Sequence, residues 1–246
     1  MHFPIKVMSY NIRHGADPFE NYSLERIADV IKQSGAEIVG LQEVDRYYSG
    51  RSNNEDMIQR LSDMLEMQFA YGANLDHPPS QPGQPRSQYG TAVLSKYPIV
   101  QNHNYLLTSS GQEQRGLLET TIDIQGVQLS FYSTHMGLDA VQRNIHADEI
   151  LAIMERRSGP KILVGDFNAR PYAPEMTKLT KEFQNQFADQ PNAFTFDSFN
   201  PHATIDYILA SSEVMLGKRE NARVIQTQAS DHFPIISNLY LERQLL

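Results

Sequence analysis

Five apolar, strand-like runs in this chain each end in, or run directly into, a small set of polar residues with ligand or catalytic chemistry. The first delivers Asn11, followed by Arg13, His14 and Gly15, and the second, Ile38-Val39-Gly40-Leu41-Gln42-Glu43, delivers Glu43. The third closes in Ser133-Thr134-His135, and the fourth, Ile162-Leu163-Val164, opens into Gly165-Asp166-Phe167-Asn168. The fifth joins Ile205-Asp206-Tyr207 to the later Ser230-Asp231-His232. Strand ends are rigid, so polar groups mounted on them can be held in one shared crevice. The pattern asks for a sheet-rich fold whose strand ends converge.

The rest of the chain is read by periodicity. Ile5–Ile12, Glu37–Val44, Gln68–Leu75, Tyr89–Ser95 and Ile162–Gly165 read as strands, and Gly116–Ile124 and Val127–Thr134 as a hairpin around Gly126. Thr204–Ala210, Arg223–Gln228 and Ile235–Leu241 complete the strands. Leu24, Ile27, Ala28 and Ile31 mark one helical face closed by Gly35; Met57, Ile58, Leu61 and Leu65 mark a second. Val141, Ile145, Leu151 and Met154 mark a long helix ending near Gly159, and Met176–Phe187 a fourth. His77–Gln88, rich in Pro, Gly and Gln, is a loop: a surface connection or a flap beside a site. Many strands with few helices predict an α/β (α+β) fold of two packed sheets with helices on the outer faces. The 246 residues fit a single domain, 1–246, and can bury a core without staples.

Composition bounds the chemistry. There is no Cys, so any metal is held by oxygen and nitrogen, which favours Mg²⁺ or Mn²⁺ over structural Zn²⁺. Twenty-one Lys and Arg against 29 Asp and Glu give a net charge of -8, hence no general pull on nucleic acid or anionic membranes. The N-terminus lacks a basic segment followed by a long apolar stretch, and no apolar run is long enough to span a bilayer, so a cytoplasmic protein without a membrane anchor is expected.

Hard cations take carboxylate and amide oxygens, which Glu43, Asp231 and Asn11 supply. Phosphoryl transfer needs charge neutralised on the non-bridging oxygens, a positioned water and help for the leaving oxygen. His135, His232 and Asn168 meet those needs, and a carboxylate such as Asp206 orients an imidazole and stabilises its protonated form. Each residue alone also has a plain structural reading: Asn11 or Glu43 as a strand end, Asp166-Phe-Asn168 as an Asx turn, Asp231-His232 as a cap. Their joint occurrence favours the site.

The ordered set Ser9-Tyr10-Asn11-Ile12, Leu41-Gln42-Glu43-Val44, Ser133-Thr134-His135, Gly165-Asp166-Phe167-Asn168-Ala169, Ile205-Asp206-Tyr207-Ile208 and Ser230-Asp231-His232-Phe233-Pro234 resembles the motifs of the endonuclease/exonuclease/phosphatase (DNase I-like) superfamily. The resemblance implies a four-layered α/β sandwich. It implies Mg²⁺ or Mn²⁺, with Ca²⁺ as a third candidate, bound by Glu43 with Asn11 and Asp231 close by. It also implies that Asp166 and Asn168 position the nucleophile and the phosphate. His232 paired with Asp206 is then a general base or a phosphate contact, and His135 a general acid or a stabiliser of the transition state. The water's proton goes to His232 or to Asp166.

His135 and Arg13 stand where abasic-site repair nucleases of this superfamily usually carry Tyr and Asp, so the chain resembles its small bacterial hydrolases more closely. Tyr89–Ser95 and Glu113–Glu119 add to that likeness. Arg115 is either a substrate-phosphate contact or part of a strand-edge ion pair. Arg143 and His146 are expected at the surface or in salt bridges. The expectation is a monomeric phosphoesterase acting on a phosphorylated small molecule or lipid headgroup, with nucleic acid the second choice and an inactive binding module the third. Specificity is expected in the loops His77–Gln88, Asn102–Arg115 and Asp189–Ala203.

Overall fold

Alternation along the first strand, β1 (His2–Asn11), separates two cores in the computed structural model, which describes residues 2–243. Ile5 and Val7 join an apolar layer between two sheets, whereas Met8 and Tyr10 join one beneath helices. The elements that follow are α1 (Leu24–Ser34), β2 (Ile38–Arg46), α2 (Met57–Leu65), β3 (Gln68–His77), β4 (Ser87–Ser95), β5 (Ile99–Leu106), β6 (Gly116–Ile124) and β7 (Val127–His135). Then come α3 (Ala140–Glu155), β8 (Lys161–Asp166), α4 (Pro174–Glu182), β9 (Gln184–Asn185), β10 (Asp206–Ala210), β11 (Met215–Leu216), β12 (Arg223–Val224) and β13 (Ile235–Glu242).

One sheet has the order β11-β13-β1-β2-β4-β3, with β12 also on β13; the other has the order β5-β6-β7-β8-β10-β9. Each contains one parallel pair, β1–β2 and β7–β8, and every other pairing is antiparallel. Both parallel pairs are joined through a helix, α1 or α3, as a parallel crossover requires. Ile38, Val93, Leu129, Phe131, Val164, Ile208 and Leu239 fill the space between the sheets. α1 and α2 cover the outer face of the first sheet, and α3 and α4 that of the second. The result is the expected helix–sheet–sheet–helix sandwich.

The sheets approach closely at Gly40, where a Cβ would lie 2.2 Å from Val164 Cγ2. Gly35 ends α1 with φ 71°, in its expected role, and the β6–β7 hairpin turns through Gln125 and Gly126, both at positive φ.

Several expectations need correction. The buried face of α3 is Gln142, His146, Ala147, Ile150, Ile153 and Met154, while Val141 is exposed. A polar Gln and His occupy positions that an apolar-only pattern skips. His146 is not a surface group: it is buried, with Nε2 3.0 Å from the Thr108 carbonyl and Nδ1 accepting from Gly137 N–H. Arg143 does form a salt bridge, to Glu175. The fourth helix starts at Pro174 and stops at Glu182, because Phe183 is already extended and leads into β9. β5 occupies part of the expected loop Asn102–Arg115; as an edge strand with mostly exposed side chains it lacks the alternation that announces a strand. Of Arg223–Gln228 only the first two residues are strand. Among the described residues no helix is long and apolar enough to cross a membrane.

Candidate active site

The C-terminal ends of both parallel pairs point to the same end of the sandwich, where the antiparallel β10 begins and the segment entering β13 returns. Asn11, His135, Asp166 and Asp206 continue the inter-sheet faces of β1, β7, β8 and β10 past the last apolar side chains. The register confirms the convergence: His135 pairs with Asp166, and Asp166 with Asp206.

Glu43 arrives by a different route. Regular alternation would turn it toward the helices with Val39 and Leu41. Leu41 pairs with Ala92 and Val44 with Gly90, so Gln42 and Glu43 together oppose the single residue Thr91. This bulge puts Glu43 in the left-handed region, φ 58°, and aims its carboxylate at Asn11. Such a conformation costs a non-glycine residue about 1 kcal/mol or more and persists only where its surroundings enforce it. Next to it, buried Asp45 is clamped by Arg51 at 2.8 and 2.9 Å and by Ser52 at 2.7 Å. Nothing in the sequence announces this brace, because a buried Asp on a strand has no local signature.

Asp166 is the hub. Its Oδ2 lies 3.1 Å from Asn11 Nδ2, 3.4 Å from His135 Nε2 and 3.6 Å from His232 Nε2, and its Oδ1 accepts from Asn168 N–H at 2.9 Å. Asn168 sits at φ 49° and donates its side-chain amide to the Met136 carbonyl, which holds the turn after β8. Asn11 Nδ2 also donates to Glu43 Oε1 at 3.0 Å, while Asn11 Oδ1 accepts from Arg13 N–H. With an N–H on one side and two carboxylates on the other, that amide has one sensible orientation.

His232 is held at Nδ1 by Asp206 Oδ2 at 2.9 Å, and the Phe196 ring lies against its imidazole. Its loop is tied down by Ser230, which donates to the Asn11 carbonyl, and by Ser198 N–H on the Asp231 carbonyl. The Asp231 carboxylate meets Arg13 Nε at 3.4 Å. Arg115 is buried, paired with Glu113, and donates from Nη1 to His135 Nδ1 at 2.9 Å. The ion-pair reading of Arg115 holds in its contact with Glu113, whereas the contact with His135, twenty positions on at the end of β7, has no local signature in the sequence. All nine candidate residues belong to one connected region.

Environment drives the ionisable groups apart. Burial opposes charging of His232, but the carboxylates of Asp206 and Asp166 outweigh it and push its pKa up to about 10. Burial, then the neighbouring Asp206, lifts Asp166 to about 7, against the pull of His232, Asn168 and Asn11. Burial, then Arg115 and His232, hold His135 well below the ordinary imidazole value. Burial raises Glu43, and His14, whose Nδ1 is 4.0 Å from Glu43 Oε2, is lowered to about 4 by burial and Arg51.

A sequence model of the endonuclease/exonuclease/phosphatase family matches residues 8–232, a span that contains every residue of this site. The chain belongs to that family. The Escherichia coli K12 protein YbhP, itself uncharacterised, is 32% identical over 97% of both chains. Among solved structures, an endonuclease/exonuclease/phosphatase protein of Beutenbergia cavernae superposes with a TM-score of 0.79 at 23% identity, over 97% of this chain and 72% of the other. The mannosyl-6-phosphatase of Bacteroides thetaiotaomicron superposes with a TM-score of 0.77 at 18% identity, over 96% and 99%. At those identities the structural likeness speaks for the fold: two mixed sheets with few helices, as in the DNase I-like sandwich.

Proposed function

We propose that this protein is a divalent-metal-dependent phosphoesterase that hydrolyses a phosphorylated small molecule or lipid headgroup with an activated water. The observation that carries the reading is the convergence of three nitrogen donors, from Asn11, His135 and His232, on Asp166 Oδ2, with Glu43 alongside. Such donors stabilise the spreading negative charge of a transferring phosphoryl group.

The donor set fits a hard cation. Glu43 is a largely buried carboxylate whose nearest basic group, His14, is neutral at pH 7, and Asp231 lies close by in the same mouth. Asp166, Asp206 and His232 also bring one ligand-type atom each within 4.8 Å of one another. His232 is already bonded to Asp206 there, so that trio reads first as an ion pair. Glu43 would hold Mg²⁺ or Mn²⁺, with Asp231 beside it, while Asn11, which turns its NH2 and not its oxygen toward Glu43, would hold that carboxylate in place. Such an ion, when bound, would supply charge neutralisation for the phosphate and lower the pKa of a water.

The protein's own groups divide the remaining work by charge state. Asp166, with a pKa near 7, is ionised often enough at neutral pH to take a proton from water. His232 is an imidazolium at that pH, suited to the phosphoryl oxygens rather than to proton abstraction. Asn168 and Asn11 orient Asp166 and Glu43. The name of the Bacteroides neighbour, a phosphatase of a phosphorylated mannose, supports a monoester of a small polar molecule within this class.

The test is a substrate panel with Mg²⁺, Mn²⁺ and Ca²⁺: p-nitrophenyl phosphate, bis-p-nitrophenyl phosphate, mannose 6-phosphate, inositol phosphates, sphingomyelin and DNA. Metal-stimulated hydrolysis of a non-nucleic ester is expected. Hydrolysis confined to DNA would replace the substrate class, and no hydrolysis with any metal would sink the reading.

A further inference from the structure

The two histidines of the site present the same atom, Nε2, to the same oxygen, Asp166 Oδ2, yet they are wired oppositely at Nδ1. His232 Nδ1 faces the acceptor Asp206, so it carries a hydrogen. His135 Nδ1 faces Arg115 Nη1 at 2.9 Å. A guanidinium has only donors and keeps its proton in proteins, so this contact leaves Nδ1 one role, that of acceptor. A neutral imidazole that accepts at Nδ1 carries its single hydrogen on Nε2.

We propose that Arg115 is a positioning residue that locks His135 as a neutral, Nε2-protonated imidazole, so that His135 acts as a hydrogen-bond donor to the phosphoryl group and not as a general acid. The lock is built into the fold. Arg115 is buried just before β6, its guanidinium is anchored by Glu113 at 3.1 Å, and its backbone carbonyl accepts from Leu107 N–H and from Gln114 Nε2. His135 ends β7, the hairpin partner of β6, so guanidinium and imidazole cross between neighbouring strands. The groups facing the imidazole are Arg115 from the segment before β6, Asp166 from β8 and His232 from the segment before β13. Burial and the two cations all oppose a second proton on His135. Loss of the Nε2 hydrogen from a neutral imidazole would create an imidazolate, out of reach near neutral pH. His135 therefore donates a hydrogen bond without giving up the proton. Two histidines standing side by side thus do different work: one supplies a charge and the other a fixed dipole.

The catalytic part of this inference rests on the phosphoesterase reading; the protonation state does not, and the decisive experiment reads it directly. Long-range ¹H–¹⁵N spectra of ¹⁵N-histidine-labelled protein are recorded across about pH 5 to 8, where an ordinary imidazole titrates. The expected spectrum shows His135 unprotonated at Nδ1, protonated at Nε2 and unchanged over that range, and His135→Gln identifies the signal. In Arg115→Met, His135 should populate the other tautomer or begin to titrate, and Arg115→Lys, which keeps a donor and a charge, should restore the lock in part.

With an ester hydrolysed by the wild type, Arg115→Met should lower kcat by about 10- to 100-fold with KM little changed. A His135 signal protonated at Nδ1, or doubly protonated at pH 7, would overturn the proposal, and the wild-type spectrum alone decides this if Arg115→Met does not fold. An unchanged His135 signal in a folded Arg115→Met protein, with a raised KM, would assign Arg115 to direct phosphate contact instead. Absence of hydrolysis by the wild type would count against the phosphoesterase reading and leave the spectral test standing.

Discussion

Replacing Asp206 by Asn tests the electrostatic core of the site. In the wild type the His232 pKa stands at about 10 against an ordinary 6.5, equivalent to about 5 kcal/mol in favour of the imidazolium. Burial works the other way, so this preference comes from the carboxylates of Asp206, Asp166 and Asp231, of which Asp206 acts most strongly. The Asp206→Asn substitution keeps a carbonyl oxygen for the Nδ1 hydrogen but removes the charge. The His232 pKa then falls, because only the Asp166 and Asp231 carboxylates still oppose burial, and the imidazolium is less firmly held at pH 7. Weakening this charged donor to the phosphoryl oxygens should lower kcat/KM by about 10²- to 10³-fold, measured on the best ester of the panel. The deficit relative to wild type should shrink on acidification, as the variant's imidazole regains its proton. Stability carries the same sign. Because the folded-state pKa is raised, the stabilisation is fully present below pH 6.5 and is lost as pH rises through about 10. Thermal melts should therefore place the wild type above the variant at pH 7, with the gap closing by pH 10. Wild-type kcat/KM in Asp206→Asn, or a gap in Tm that does not narrow with pH, would overturn this account of the charge.

Glu43→Gln should abolish metal-stimulated hydrolysis and the rise in Tm that Mg²⁺ or Mn²⁺ confers, while leaving the metal-free melt unchanged or slightly higher, because it removes a charge whose burial is unfavourable. The pH profile of kcat/KM should rise with pH along a unit-slope limb centred near 7, as Asp166 loses its proton; a limb at the ordinary carboxylate value would assign the proton to another group. Gly40→Ala should cost about 1–3 kcal/mol in denaturant unfolding, because its Cβ would meet Val164 Cγ2 at 2.2 Å between the two sheets, and a neutral result would mean that the sheets part there freely.

Much of the fold was legible in local pattern. α1 and α2 span the residues that periodicity marks, α1 closes at the expected Gly35, and the β6–β7 hairpin turns at the expected glycine. The failures share a cause. β5 lies at a sheet edge and buries too little for its period to show, and α3 packs with Gln142 and His146 on its buried face. In both, the tertiary partner decides what is buried.

The site divides the same way. Local sequence was enough to say which residue types stand at the ends of which strands, and hence the family and the nine candidates, because strand ends and their polar residues are adjacent in the chain. The sandwich decided the rest. It turned Glu43 toward Asn11 through a bulge, brought Asp166 under two imidazoles, and gave Arg115 to one and Asp206 to the other. Charge states depend on burial and on neighbours far apart in the chain, just as the loop carrying His232 is tied down across 219 positions by Ser230 on the Asn11 carbonyl. Electrostatic energy follows distance in space and not separation along the chain, so two histidines that look alike in sequence become a cation and a neutral donor only once the fold has closed.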